Sequence, residues 1–216
     1  SFVNFDKELK GNIKKLEKEY SDIAIQLSSK REKISGILSS LIEDSLKELN
    51  MSGANFDIEI SRKAKSDGFI NLTNESVQGF PKGIDQVEFF LSANPGEPLK
   101  PMASIASGGE MSRIMLAIKT VFQDQNPVSA LIFDEIDTGI SGETAKKVSQ
   151  HLKKLSNHKQ VICITHLPQI AKQADRHLHI SKHVKNAKTF VNAEYLEGAI
   201  SNKVIDNLFI GEEMMA

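Results

Sequence analysis

Two short apolar runs limit what this chain can fold into. Residues 130–133 read ALIF and run straight into Asp134 and Glu135; residues 160–165 read QVICIT and run straight into His166. A short, continuous apolar run predicts a strand buried on both faces. Between them, Ser141 is placed to cap a helix carrying Ala145, Val148, Leu152 and Leu155 on one face. Strand, helix and strand in this order predict an α/β fold built on a βαβ unit with parallel strands. Both strands of such a unit end on one sheet edge, where open α/β sheets bind ligands. Two carboxylates and an imidazole are thereby expected to converge.

Upstream, the chain changes character. Over residues 1–50, apolar residues fall at Leu9, Ile13, Leu16, Tyr20, Ile23, Leu27, Ile34, Ile37 and Leu41, with Lys30 the one polar intruder. The steps alternate between four and three, and no proline interrupts them. This predicts a long helix with a narrow seam, a coiled-coil arm rather than a helix lying on its own domain. An arm of this kind needs a partner helix, and no second stretch of comparable length is present. The expected division is an arm over 1–50 and a lobe over 51–216. NMSGAN (50–55) breaks the helix, FDIEI (56–60) and DQVEFFLSA (85–93) read as strands, and 63–83 is polar and turn-rich. LPQIAKQA (167–174) starts a helix with Pro168 near its first position. HLHIS and TFVNAEYL read as a hairpin across KNAK, and a short helix is expected near 202–209.

Bulk numbers exclude some classes. The formal net charge of −1 gives no global attraction to nucleic acid. A single cysteine, Cys163, cannot form an internal disulfide, which fits a reducing cytosol. It lies in an apolar strand and reads as core. No apolar run approaches a membrane span. The opening SFVNFDKELK carries acids, lacks an apolar core and does not start with methionine; it reads as the start of a fragment rather than a signal peptide. His177 and His179 share a strand face without enough companions for a zinc site.

Four apolar residues followed by two acids match the Walker B pattern of nucleotide hydrolases, where the first acid holds Mg²⁺ and an acid beyond it polarises water. The plain alternative is two acids opening a polar loop; the second run ending in Thr165 and His166 favours chemistry. A P-loop needs glycines five positions apart and a dinucleotide fingerprint needs them two apart. No pair among the 13 glycines meets either spacing. The chain thus carries a candidate metal acid and base without a triphosphate loop.

A complement lies at 103–119, ASIASGGEMSRIMLAIK. Met111, Ile114, Met115, Ile118, Val121 and Phe122 follow helical spacing, yet Gly108 and Gly109 fall in the first turn, at about 1 kcal/mol each relative to alanine. Ser107 and Glu110 fit a capping box. That leaves the glycines unexplained. A helix start without side chains offers bare N–H groups and the positive dipole end to an anion, and Ser107 adds a hydroxyl. Arg113 is expected to pair with Glu110.

ASGGE resembles the signature motif of the ABC ATPase superfamily, in the form used by its DNA-repair and chromosome-structure (SMC-like) branch. LIFDE resembles Walker B, IDTGIS (136–141) the D-loop and ITH (164–166) the H-loop. The longer strings PGEPLKPMASIASGGEMSRIMLAIKTVF, LIFDEIDTGISG and VICITHLPQIAKQADRHL are similar to the C-terminal part of the bacterial RecN family of DNA-repair proteins. The similarity is dense from 85 to 181 and looser elsewhere; in the arm it holds in kind only.

The resemblance implies the C-terminal lobe of an ATPase head, with ATP and Mg²⁺ sandwiched between two heads. Ser107, Gly108, Gly109 and Glu110 would face ATP held by the opposing head, with Ser107 and Gly109 at its γ-phosphate. Asp134 would support Mg²⁺ through water, Glu135 would orient or deprotonate the attacking water, His166 would contact the γ-phosphate, and Asp137 would help couple the two sites. Met111 stands where the family often has leucine. The implied partners are the N-terminal half with its Walker A lobe and matching coiled-coil helix, a second head in a homodimer, and DNA through the full assembly. The implied location is the bacterial cytoplasm, at the nucleoid, and this chain alone is expected to be inactive. Two other readings stand beside this one: the C-terminal head of another SMC-family protein, and a non-catalytic coiled-coil interaction module on a degenerate nucleotide-binding fold. Glu135 and His166 together favour catalysis; TGISG and THLPQIAKQAD favour RecN.

Overall fold

The computed structural model describes residues 2–73, 75–105, 108–123, 128–185 and 187–213. They form two units, Ser1–Glu43 with Gly53–Ile105, and Asp44–Ser52 with Ala106–Ala216.

The first unit sets a long helix against a small β layer. Helix α1 (Phe2–Glu48) is followed by β1 (Asn55–Arg62), β2 (Ile70–Asn71), β3 (Ser76–Val77), β4 (Asp85–Ser92) and β5 (Lys100–Pro101). β1 pairs antiparallel with β4, placing Phe56 opposite Leu91, and β5 pairs with β4. The polar stretch between β1 and β4 is not a plain loop. It folds β2 against β3 and contributes Ile70, Val77 and Ile84, which bury against Ala24 with Tyr20 and Leu72 alongside. Each such aliphatic side chain contributes about 1.5–3 kcal/mol relative to exposure.

The heptad seam divides in two. Leu9, Ile13, Leu16, Ile23, Ile34, Ile37 and Leu41 stay exposed. Tyr20 turns inward instead: its hydroxyl donates to the Phe80 carbonyl at 2.6 Å and accepts the Phe80 N–H at 3.0 Å. Leu27 is half-buried, and Ala24 and Ser28 are buried beside it. Small residues next to the seam let the β layer approach. Below them, the Asp85 carboxylate is fully buried and accepts from Ser28 Oγ (2.6 Å), Arg31 Nη1 (2.9 Å) and Arg62 Nε (3.3 Å). Arg62 also pairs with Glu32, whose hydrogen bond outweighs burial and holds the guanidinium above its ordinary range.

The second unit contains α2 (Gly108–Val121), β6 (Ala130–Phe133), α3 (Gly142–Ser156), β7 (Gln160–Cys163), α4 (Pro168–Ala171), β8 (His177–Lys185), β9 (Lys188–Leu196) and α5 (Gly198–Glu213). β6 and β7 pair parallel, Ala130 with Gln160 through Phe133 with Cys163. The end of α1 joins this unit. Asn50 takes a left-handed conformation (φ 64°), closing the helix, and donates to Thr144 Oγ1 at 2.9 Å. The core combines Leu46 and Leu49 with Ile114, Leu116 and Ala117 of α2 and Ala145, Val148, Leu152 and Leu155 of α3.

Several expectations need correction. The two apolar strands are not buried on both faces: Ile132 is 69% exposed, and Ile162 and Ile164 are also exposed. The pair has cover on one side only within this chain, so burial alternates along each strand. Ser141 stands at the N-cap of α3 without a side-chain cap bond; its carbonyl accepts the Thr144 and Ala145 N–H groups instead. The helix after Pro168 is one turn, and the final helix is longer than 202–209. No helix among the described residues is long and apolar enough to cross a membrane.

Candidate functional site

The site is built where β6 and β7 end. Beyond Phe133 the chain turns sharply. Asp134 is exposed, and its Oδ1 accepts the Glu135 N–H at 2.9 Å. Glu135 is forced into the left-handed region (φ 57°), uncommon for a residue with a side chain. The Thr138 N–H returns to the Glu135 carbonyl at 3.1 Å, and Ile136 seals the turn from below.

Helix α2 holds this turn from one side. Ser112 Oγ donates to the Asp134 carbonyl at 2.8 Å, and Arg113 Nη1 donates to the Thr138 carbonyl at 3.1 Å. Arg113 is buried, which pushes its guanidinium below the ordinary range against the opposing charge of Glu110. Its hydrogen bond goes to the turn rather than to Glu110, the partner its spacing suggested. Gly109 is buried against Thr138, and Gly108 lies against the Glu135 carboxylate. Both glycines thus have a partner within the same chain, a contact that helical spacing does not reveal. Ser107, and with it the capping box, lies outside the described residues.

The turn after β7 is held from the other side by Asp137. Its side chain is 5% exposed, and Oδ2 accepts from Thr165 Oγ1 at 2.6 Å and the His166 N–H at 2.9 Å. His166 Nδ1 lies 3.1 Å from the same oxygen, and the ring is otherwise exposed. Thr165 Oγ1 in turn accepts the Leu167 N–H at 3.0 Å. One hydrogen-bonded cluster therefore links α2, the loop after β6 and the turn after β7. It brings Gly108, Gly109, Asp134, Glu135, Asp137 and His166 into one neighbourhood, with Glu110 in the same first turn of α2.

Several singled-out residues lie elsewhere. Cys163 is half-buried in β7; burial, then Asp137 and Asp134, push its thiol up to about 12. His177 spans the Ala171 carbonyl and Ser201 Oγ, both at 2.7 Å. His179 is 4.0 Å from Glu194, and His183 stacks on Phe190.

A profile described as the RecF/RecN/SMC N terminal domain matches residues 5–189. The chain belongs to the RecF/RecN/SMC family. It is similar to the DNA repair protein RecN of Bacillus subtilis, 39% identical over 216 residues, covering 98% of this chain and 38% of that protein. The Treponema pallidum protein of the same name is 39% identical over 96% of this chain and 35% of its own length. The chain thus spans little more than a third of the curated relatives it matches. The Smc head domain of Pyrococcus yayanosii, solved with a coiled coil and joint, aligns with 93% of this chain and 36% of its own at a TM-score of 0.52 and 20% identity. That likeness shows a shared head-domain fold.

Membership in this ATPase family implies a nucleotide and Mg²⁺, and the Asp134 carboxylate suits the ion. Asp134 is one exposed hard oxygen donor, and among the described residues no three metal-binding side chains gather. Mg²⁺ is held this way, through one or two carboxylates, waters and phosphate, rather than in a protein cage. Beside Gly108 an anionic group already stands against the start of α2, where the helix dipole favours negative charge.

Proposed function

We propose that this chain is the C-terminal lobe of the ATPase head of a RecN-like DNA-repair protein, and that the complete protein hydrolyses ATP between two such heads. The observation carrying this reading is the brace through Asp137: one buried carboxylate ties the loop after β6 to the turn after β7. Asp134, Glu135 and His166 therefore stand at one edge of a parallel strand pair.

In this reading Asp134 holds Mg²⁺ through water, and bound Mg²⁺ neutralises charge on the phosphates. Glu135 orients or deprotonates the attacking water, and His166 meets the γ-phosphate. Ser107, Gly108, Gly109 and Glu110 address the nucleotide of the opposing head, and Asp137 lies in the loop that joins the two sites. The Walker A lobe comes from the N-terminal half, whose helix zips along the exposed Leu16, Ile23, Ile34, Ile37 and Leu41 stripe and whose sheet covers Ile132, Ile162 and Ile164. DNA is engaged by the full homodimeric assembly in the bacterial cytoplasm, since a net charge of −1 offers this lobe no broad attraction to phosphate backbones.

The test uses the chain joined to its Walker A half. Glu135→Gln is expected to cut phosphate release by about 10²-fold or more, the scale of general-base catalysis, while the ATP-bound dimer persists on sizing. Wild-type turnover in that variant, or phosphate release by this chain alone, would overturn the assignment.

A further inference from the structure

Asp137 accepts two hydrogen bonds at one oxygen, and the same oxygen also lies close to the His166 ring, which makes it more than a loop anchor. The Thr165 hydroxyl and the His166 N–H would hold the turn by themselves. The additional approach of His166 Nδ1, at 3.1 Å, acts on the ring. An ionised carboxylate is negative and offers no proton, so an imidazole nitrogen this close is favoured with its N–H, not its lone pair, toward the oxygen. The hydrogen bond made by one ring nitrogen fixes the protonation of the other. Nε2 is then the outward atom of a ring that is 73% exposed.

We propose that Asp137 is the positioning residue of His166: it holds the imidazole with Nδ1 protonated and presents Nε2 to the ligand. The resemblance gives Asp137 a task between two heads; its contacts with Thr165 and His166 give it one inside its own head as well. Applied to the ATPase reading, on which this consequence rests, the device is complete. Contact with a phosphate oxygen needs a proton on Nε2 as well, so the ring meets phosphate as an imidazolium whose charge Asp137 balances.

The tautomer is measured directly, without nucleotide, so its outcome is separate from that of Glu135→Gln. Two-bond ¹H–¹⁵N correlation spectra of the ¹⁵N-labelled chain are recorded where the ring is neutral, with His166 assigned by its loss in His166→Gln. The wild-type ring is expected in the Nδ1–H form, the less common tautomer of free histidine. Asp137→Ala removes the carboxylate that faces Nδ1 and is expected to return the ring to Nε2–H, the commoner tautomer of free histidine. Thr165→Val removes a bond to Asp137 yet leaves the ring contact, and is expected to keep Nδ1–H. An Nε2–H ring in the wild type overturns the proposal, and so does an unchanged tautomer in folded Asp137→Ala. If that variant does not fold, the wild-type and Thr165→Val spectra decide.

Discussion

The carboxylate of Glu135 lies where a side chain on Gly108 would begin, and the backbone of Thr138 lies where one on Gly109 would begin. The two glycines therefore do different things. At Gly108 the obstacle is the end of a flexible side chain, which can swing away. At Gly109 a Cβ would stand 2.9 Å from the Thr138 carbonyl oxygen and 3.0 Å from Thr138 Cβ. That carbonyl is pinned by Arg113, so it cannot yield freely.

Gly109→Ala sets about 1 kcal/mol of helix propensity against about 1–3 kcal/mol of overpacking. The expected result is a loss of about 1 kcal/mol in unfolding free energy by urea titration. Gly108→Ala is expected to be neutral or stabilising by the same measurement, because its obstacle moves. A larger loss at Gly108 than at Gly109 would contradict this geometry.

Asp85 is the second test. Its buried carboxylate faces Arg31 and Arg62, whose side chains remain 28% and 26% exposed. Removing one member of a buried ion pair costs about 3–5 kcal/mol, and partial exposure of both guanidiniums places Asp85→Ala at about 3 kcal/mol. Tyr20→Phe removes the hydroxyl's bonds to the Phe80 N–H and carbonyl, both of which keep Gly83 as a partner, and is expected to cost about 0.5–1.5 kcal/mol. Thermal and urea unfolding of both variants check the order.

The strand ends were legible in the sequence. ALIF-DE and ICIT-H could be read because a strand that stops against polar residues exposes them at its end. The pairing of Phe133 with Cys163 lies behind that convergence. The sidedness of the strands was not legible, because an apolar run does not say which covers lie in its own chain; Ile132 is exposed for that reason. Heptad spacing located the seam but not its division, since Tyr20 and Leu27 fit the repeat while their packing depends on Ala24, Ser28 and a β layer some 50 residues away. Asp137 was legible as the D-loop acid expected to couple two sites, not as a contact of His166. Its contact with His166 spans 29 residues, and nothing local to either carries it. Ile70 and Val77 were hidden because two-residue strands leave no period to detect.

Cys163 supplies a chemical test. Burial leads, and the charges of Asp137 and Asp134 add to it, so the thiol rises from an ordinary 9.0 to about 12. Thiolate is the reactive form, so native Cys163 is expected to react with maleimide at pH 8 at least about 100-fold more slowly than in the urea-unfolded chain. The sign of the linked stability follows. Between pH 9 and 12 the unfolded chain has lost a proton that the folded chain keeps, so this contribution is intact below pH 9 and is lost as pH rises through that window. Native labelling as fast as unfolded labelling would place the thiol at the surface.

His151 tests the junction between the end of α1 and α3. Its Nε2 lies 2.9 Å from Glu48 Oε2, yet desolvation outweighs that carboxylate, and Lys154 adds to it, so the imidazole falls below its ordinary 6.5. The folded ring is therefore neutral near pH 7, donating from Nε2 to Glu48, while Nδ1 is buried without a partner among the described residues. A lowered folded value means that the unfolded chain takes up its proton first as pH falls. Stability from this site is full above 6.5 and declines below it until the folded ring also protonates. Unfolding free energy is expected to be lower at pH 5 than at pH 7.5. His151→Leu removes the unpaired nitrogen and leaves Glu48, 68% exposed, in water. That variant is expected to be neutral or stabilised by about 1 kcal/mol at pH 7.5 and to flatten the acid-side slope. A slope unchanged by the substitution would assign the pH dependence to other groups; a loss of several kcal/mol would mean that the Glu48 pair outweighs the burial of His151.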